Sequence, residues 1–202
     1  MYKRLLIVTF AIIGLCALLT ILPIHSEEKI YDSVLRLHVL ANSDSEEDQA
    51  LKLKVRDAVL AETEVLLADV KTRDAAEDVL AASLPLIIAA AQKTVQENGA
   101  SQEVTATLGE EQYPTREYEE LAFPAGEYLS LRVMLGEAEG ENWWCVLFPP
   151  LCLSAATAKG EAEEAFLSAG LTDDQYRIIT DSKNGKYRLR FKLLEVARAL
   201  FD

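Results

Sequence analysis

Cysteine, histidine and a dense acidic turn are the chemistry-bearing features of this 202-residue chain. Cys145 and Cys152 lie in the stretch NWWCVLFPPLC, residues 142–152, which also holds both tryptophans and a Pro-Pro pair. A thiol attacks only as its thiolate, so either cysteine would need a base such as His38 brought beside it. Along a straight strand the two cysteines would be roughly 23 Å apart, beyond disulfide reach. A reversal at Pro149-Pro150 could bring them together, so a disulfide and separate thiols both stay open. On a strand, Trp143, Cys145 and Leu147 face one way while Trp144, Val146 and Phe148 face the other. Both faces are apolar and each needs cover, either within the domain or from a partner. Trp143, Trp144, Pro149 and Pro150 are therefore candidate partner-binding residues, since rigid aromatics and a preformed bend offer contact area at low entropic cost.

Other chemistry finds little support. His25 and His38 are the two histidines, and no Cys-x-x-Cys, His-x-x-x-His or His-Glu-x-x-His spacing occurs. No metal site and no cofactor is expected. Gly-x-Ser-x-Gly and a glycine-rich phosphate loop are also missing from the sequence. ANSDSEED at 41–48 offers the oxygen ligands Asp44, Glu46, Glu47 and Asp48, but lacks the glycine and closing glutamate of a calcium loop. Ser and Asp gather at helix N-termini for their own reasons, and that reading is preferred. Asn42 and Asp44 in this turn form a second candidate partner surface.

The elements that would position these residues follow from periodicity. Leu35, Leu37 and Val39 alternate with Arg36 and His38, which predicts a strand with one buried face. Ser45 and Asp48 resemble a capping box opening an amphipathic helix from Glu46 to about Leu67. A second helix should start near Thr72 and stop at Asn98-Gly99, with a kink or break at Pro85. Residues 103–108 alternate as a strand, and Pro114 and Pro124 bracket an irregular segment. EYLSLRVML, the turn GEAEGEN and WWCVLF read as a hairpin, which the proline pair must end. Residues 155–169 are small, acidic and weakly helical, and YRLRFKLLEVARALFD reads as a strand passing into a helix. The order β-α-α-β-β-β with a C-terminal β/α piece predicts an α+β fold, an antiparallel sheet of about four strands covered by two amphipathic helices.

Charge and the N-terminus bound the setting. Acidic residues outnumber basic ones 33 to 20. Such a body repels phosphate backbones, so nucleic acid is not an expected partner. Lys3 and Arg4 precede a charge-free apolar run from residue 5 to 24, as in a Sec export segment long enough to span a bilayer once. The basic flank should stay inside, placing the chain beyond Ile24 outside the cytoplasm. The predicted organisation is a signal peptide or membrane anchor at 1–26, an α+β signalling domain at 27–153, a variable acidic spacer or peripheral helix at 154–185, and a C-terminal strand and helix at 186–202. Membrane contact is expected only through residues 5–24.

LRLHVLANSDSEEDQALKLKVRDAVL at 35–60, YPTREY at 113–118 and FPAGEYLSLRVMLGEAEGENWWCVLFPPLC at 123–152 resemble the stage II sporulation protein R family. FKLLEVARALF at 191–201 is similar to that family's closing segment. The resemblance implies an exported, non-enzymatic signal of endospore formation, secreted or anchored between forespore and mother cell. It also implies a partner, a membrane-embedded sporulation aspartic protease that processes the sigma-E precursor, and supplies no catalytic residues. The competing reading from the residues is a cell-envelope hydrolase or thiol enzyme using Cys145 or Cys152.

Overall fold

The structure is a computed structural model that describes residues 30–118, 121–150 and 166–181, together with Tyr2. The elements in chain order are β1 (Leu35–Leu40), α1 (Glu46–Leu67), α2 (Arg73–Glu97), β2 (Val104–Tyr113), β3 (Arg116–Tyr118), β4 (Leu121–Phe123), β5 (Gly126–Leu135), β6 (Asn142–Phe148) and α3 (Asp173–Asp181).

The fold is α+β, as the pattern predicts, but the sheet is mixed rather than antiparallel. Its order is β2-β5-β1-β6, with β1 parallel to β5 and antiparallel to β6. The turn 136–141 joins β5 to β6, yet the two do not pair, because β1 lies between them. Residue composition explains the insertion. A central strand is covered on both faces, and β1 supplies apolar side chains on one face and long, partner-seeking ones on the other. All six of its residues are buried, including Arg36 and His38, so the expectation of a single buried face is corrected.

One sheet face packs on the helices. Leu35, Leu37, Val39, Leu131, Val133, Cys145 and Leu147 meet Leu51, Val55 and Val59 of α1 and Leu80, Ile87 and Ala91 of α2. Each fully buried Leu, Ile or Val contributes about 1.5–3 kcal/mol relative to exposure. Caps define the helix starts: Asp48 N donates to Ser45 Oγ at 3.2 Å and Ala75 N to Thr72 Oγ1 at 3.3 Å. Gly99, at φ +72°, takes the left-handed turn after α2. The helix runs uninterrupted through Pro85. Pro85 and Ala81 are both exposed, so the carbonyl that loses its amide partner is open to water.

The other sheet face carries a second core of Ile30, Val34, Tyr113, Phe123, Tyr128, Val146, Phe166, Leu171 and Ile179. Its cover includes a hairpin of β3 and β4 in the segment expected to be irregular. Residues 166–181 lie within the expected spacer and contribute Phe166 and Ile179, both fully buried.

Candidate functional site: the tryptophan–proline strand and its supports

β6 projects its residues with the predicted parity from Trp143 to Leu147, but a register shift opposite Leu35 and Arg36 brings Phe148 into the helix-side core instead of beside Trp144 and Val146. Trp143 and Cys145 pack with the helix-side core, while Trp144 and Val146 join the second one. Both tryptophans are half-buried, and each carries a guanidinium on its ring. Arg56 of α1 sits 4.9 Å from the centre of Trp143. Trp144 is stacked on His38 with ring centres 5.3 Å apart, and Arg116 of β3 lies 3.6 Å from the Trp144 ring. Each cation–π contact is worth about 0.5–1 kcal/mol where partly exposed. A cis peptide bond joins Phe148 to Pro149. Pro149 is buried and Pro150 exposed.

Cys145 is disulfide-bonded. The chain's other cysteines, Cys16 and Cys152, lie outside the described residues. His38 pairs across the ladder with Trp144, whereas Cys145 pairs with Leu37 and faces the opposite side of the sheet. A Cys145–His38 dyad is thus excluded twice, by a consumed thiol and by side-chain direction. His38 is also not the half-exposed strand residue that the alternation suggests. It is 5% exposed, with Nδ1 2.8 Å from Glu111 Oε1 and Nε2 2.7 Å from Asn142 Oδ1.

The turn after β1 is a staple. The Asp48 carboxylate accepts from Asn42 Nδ2 at 2.8 Å, from Ser43 Oγ, and from Gln102 Nε2 at 2.7 Å. Hydrogen bonds from Ser43 and Asn42 hold its pKa below the usual carboxylate range, against the opposing push of burial. Asn42 Oδ1 accepts from Glu137 N at 3.0 Å, and Asp44 Oδ1 accepts from Glu141 N at 2.6 Å. Glu139 N and Gly140 N donate to the carbonyls of Asn42 and Ala41. Lys52, buried beneath, donates to Gln49 Oε1 and to the Glu141 carbonyl, and burial lowers its pKa. The two candidate surfaces are therefore neighbours: the 42–45 turn holds the 136–141 turn that leads into β6. Asn42 and Asp44 spend their side-chain oxygens on that junction. Among the described residues no group of three His, Cys, Asp or Glu side chains is placed to hold a metal ion.

Two features escape sequence reading. Arg36 is fully buried among Tyr113, Tyr128 and Phe123, with its guanidinium carbon 4.0 Å from the Tyr113 ring. Its Nη2 donates to Tyr118 Oη at 2.8 Å, and Nε and Nη1 have no hydrogen-bond partner. Tyr113 has its phenol pKa raised, chiefly by burial. The second is a cleft of about 420 Å³ lined by Leu60, Thr63, Leu67, Leu147, Phe148 and Pro150, among others. The polar parity of β1 was the available signal for the first. Nothing local in the chain signals the second.

Together these features define a small α+β domain with helices on one sheet face, an aromatic–guanidinium layer on the other, and a stapled tryptophan–proline strand beside both. Residues 31–158 match the family model described as stage II sporulation protein R. The chain belongs to the stage II sporulation protein R family. It is 43% identical over 123 residues to the stage II sporulation protein R of Bacillus subtilis (strain 168), covering 61% of this chain and 55% of that relative. The chain thus spans little more than half the length of the relative it matches. No solved structure matches it. Family membership makes this a sporulation protein and supports a signalling role.

Proposed function

We propose that the chain is an extracytoplasmic signal of sporulation that activates a membrane-bound aspartic protease, which then processes the sigma-E precursor. The observation that carries this reading is the family match over residues 31–158, which takes in the whole sheet and both long helices. The basic flank and apolar run at the N-terminus support export into the space between forespore and mother cell, whether secreted or anchored. Among the described residues no helix is long and apolar enough to cross a membrane, and residues 5–24 lie outside them.

Activation by contact requires the signal to prefer the active state of the protease over the inactive one. Exposed Pro150 and the open edges of Trp143 and Trp144 suit such a contact, because their positions are already fixed by Pro149, Arg56 and Arg116. In this reading Asn42 and Asp44 act by holding the turn that aims β6.

The test is precursor processing in a non-sporulating host that expresses the protease, the sigma precursor and the full chain. Wild type should yield processed precursor. A Trp143→Ala/Trp144→Ala variant that is secreted and folded should not. Failure of wild type, with protease and precursor shown competent, would overturn the proposal.

A further inference from the structure

We infer that the outer edge of β2 is a docking site for an extended, basic segment of a partner protein, which adds to the sheet as a fifth strand. The inference rests on the signalling reading for the identity of that partner, the extracytoplasmic part of the protease.

The backbone shows which groups are available. β2 is an edge strand of the sheet and pairs with β5 in continuous register from Val104–Leu135 to Tyr113–Gly126. Gly136 N donates to Glu103 O at 2.9 Å, which marks that pair as hydrogen-bonded. Antiparallel pairing alternates, so Thr105, Thr107, Gly109, Glu111 and Tyr113 turn their amides and carbonyls toward β5. Val104, Ala106, Leu108, Glu110 and Gln112 turn theirs outward. The outward amide of Val104 is taken by Gln92 Oε1 at 2.8 Å, as this phase requires. Beyond it, the outward groups of residues 106, 108, 110 and 112 have no backbone partner among the described residues.

Natural edge strands are usually kept short or guarded by proline, lysine or a bulge. β2 holds no proline, lysine or bulge, its two charges are tied down in Glu110–Arg73 and Glu111–His38 pairs, and it runs for ten residues, against an ordinary strand of about five or six. The remaining charges choose the occupant. Glu110 is paired with Arg73 at 2.9 Å, so the acids left on this edge are Glu103 and, across the ladder from Gln112, Glu127, and the chain carries a net charge of −13. A second copy would set these acids against one another, whereas a basic strand complements them. Main-chain hydrogen bonds would then supply affinity and the acids the selectivity, as in strand addition generally.

Proline separates the outward amides from the ladder. At residue 110 or 112 it removes an amide that faces away from β5, a position edge strands tolerate. Full-length Glu110→Pro and Gln112→Pro would be compared with wild type in the processing assay, each checked for an unchanged melt and for amide protection at Thr107 and Gly109. Two positions with different side chains guard against one variant failing to fold. Both should lose processing by about tenfold or more, and Gln112→Ala, which keeps its amide, should lose less. Hydrogen exchange on the complex captured with the protease should show new protection at Leu108, Glu110 and Gln112. Folded proline variants that process as well as wild type would overturn the docking edge and leave the signalling role standing. Wild type that fails to process would overturn the signalling role and, with its partner gone, the edge as well.

Discussion

The imidazole of His38 on β1 meets the carboxylate of Glu111 on β2 at 2.8 Å, although β5 runs between the two strands. Burial alone would raise the Glu111 pKa. The hydrogen bond and charge of His38, helped by Ser130 and Arg132, bring it below its usual value instead. Its stabilising contribution is therefore full above the unfolded carboxyl pKa and is lost as pH falls through the lower folded value. Asp48 has the same sign. Stability should decline as pH drops below about 4.5. Glu111→Gln should cost about 1–2 kcal/mol at neutral pH and flatten that acid limb. Urea unfolding from about pH 3 to 7 reads both, and an acid limb as steep as wild type's would refute the assignment.

Asp48 should be the most costly polar residue to remove. Its carboxylate is the common acceptor for Asn42, Ser43 and Gln102, and it is buried. Asp48→Ala leaves those donors unpaired, each at a cost of about 1–3 kcal/mol where water cannot enter. A loss of about 3 kcal/mol in urea denaturation is expected. A loss below about 1 kcal/mol would mean water replaces the staple.

Gly140 is fixed by contact rather than by backbone angle. A Cβ there would collide with the Ser43 carbonyl, which is main chain and cannot rotate away, and with Ala41 Cβ. Its amide also donates to the Ala41 carbonyl. Gly140→Ala should therefore pry the two turns apart at a cost of about 2–3 kcal/mol, read as a lower melting temperature. Gly109→Ala, with nothing within 4 Å of its Cβ, serves as the comparison and should shift stability little.

The local signals were legible and the distant ones were not. Ser45, Thr72 and Gly99 mark helix ends through contacts within a few residues, and each stands where its type and neighbours place it. The parity of Trp143 and Trp144 follows from strand period alone. Insertion of β1 between β5 and β6 pairs Leu35 with both Leu129 and Phe148, far beyond any local signal, and depends on which strand has the most surface to bury. For the same reason Asn42 and Asp44 looked like a free polar turn. Their partners, Glu137 and Glu141, stand 95 and 97 positions away. The Arg36 cage is likewise built from three other strands.

Arg116 and Trp144 should be energetically coupled. The guanidinium carbon lies 3.6 Å from the centre of the indole ring, which also stacks on the buried His38. Trp144→Ala removes both contacts from a half-buried ring and should cost about 2–3 kcal/mol. Arg116→Ala should cost about 1 kcal/mol or less. A double-mutant cycle should return a coupling of about 0.5–1 kcal/mol, and additive losses would mean the stack carries no net energy.

The disulfide at Cys145 should close on Cys152. Of the two other cysteines, Cys16 lies in the apolar run that leads the chain, whereas Cys152 comes two positions after the turn at Pro149 and Pro150. Cys145 itself lies on the helix-side face, beside Leu37 and Leu147, and a turn at the proline pair is what a bridge to Cys152 requires, since a straight strand would hold the two apart. A loop of about eight residues closed in this way contributes about 2 kcal/mol through the unfolded chain. Peptide mapping of exported protein under non-reducing conditions should recover a Cys145–Cys152 pair. Cys145→Ser should lose about 2 kcal/mol and leave Cys152 open to alkylation. Recovery of free Cys152 from wild-type protein would rule the clasp out and direct attention to Cys16.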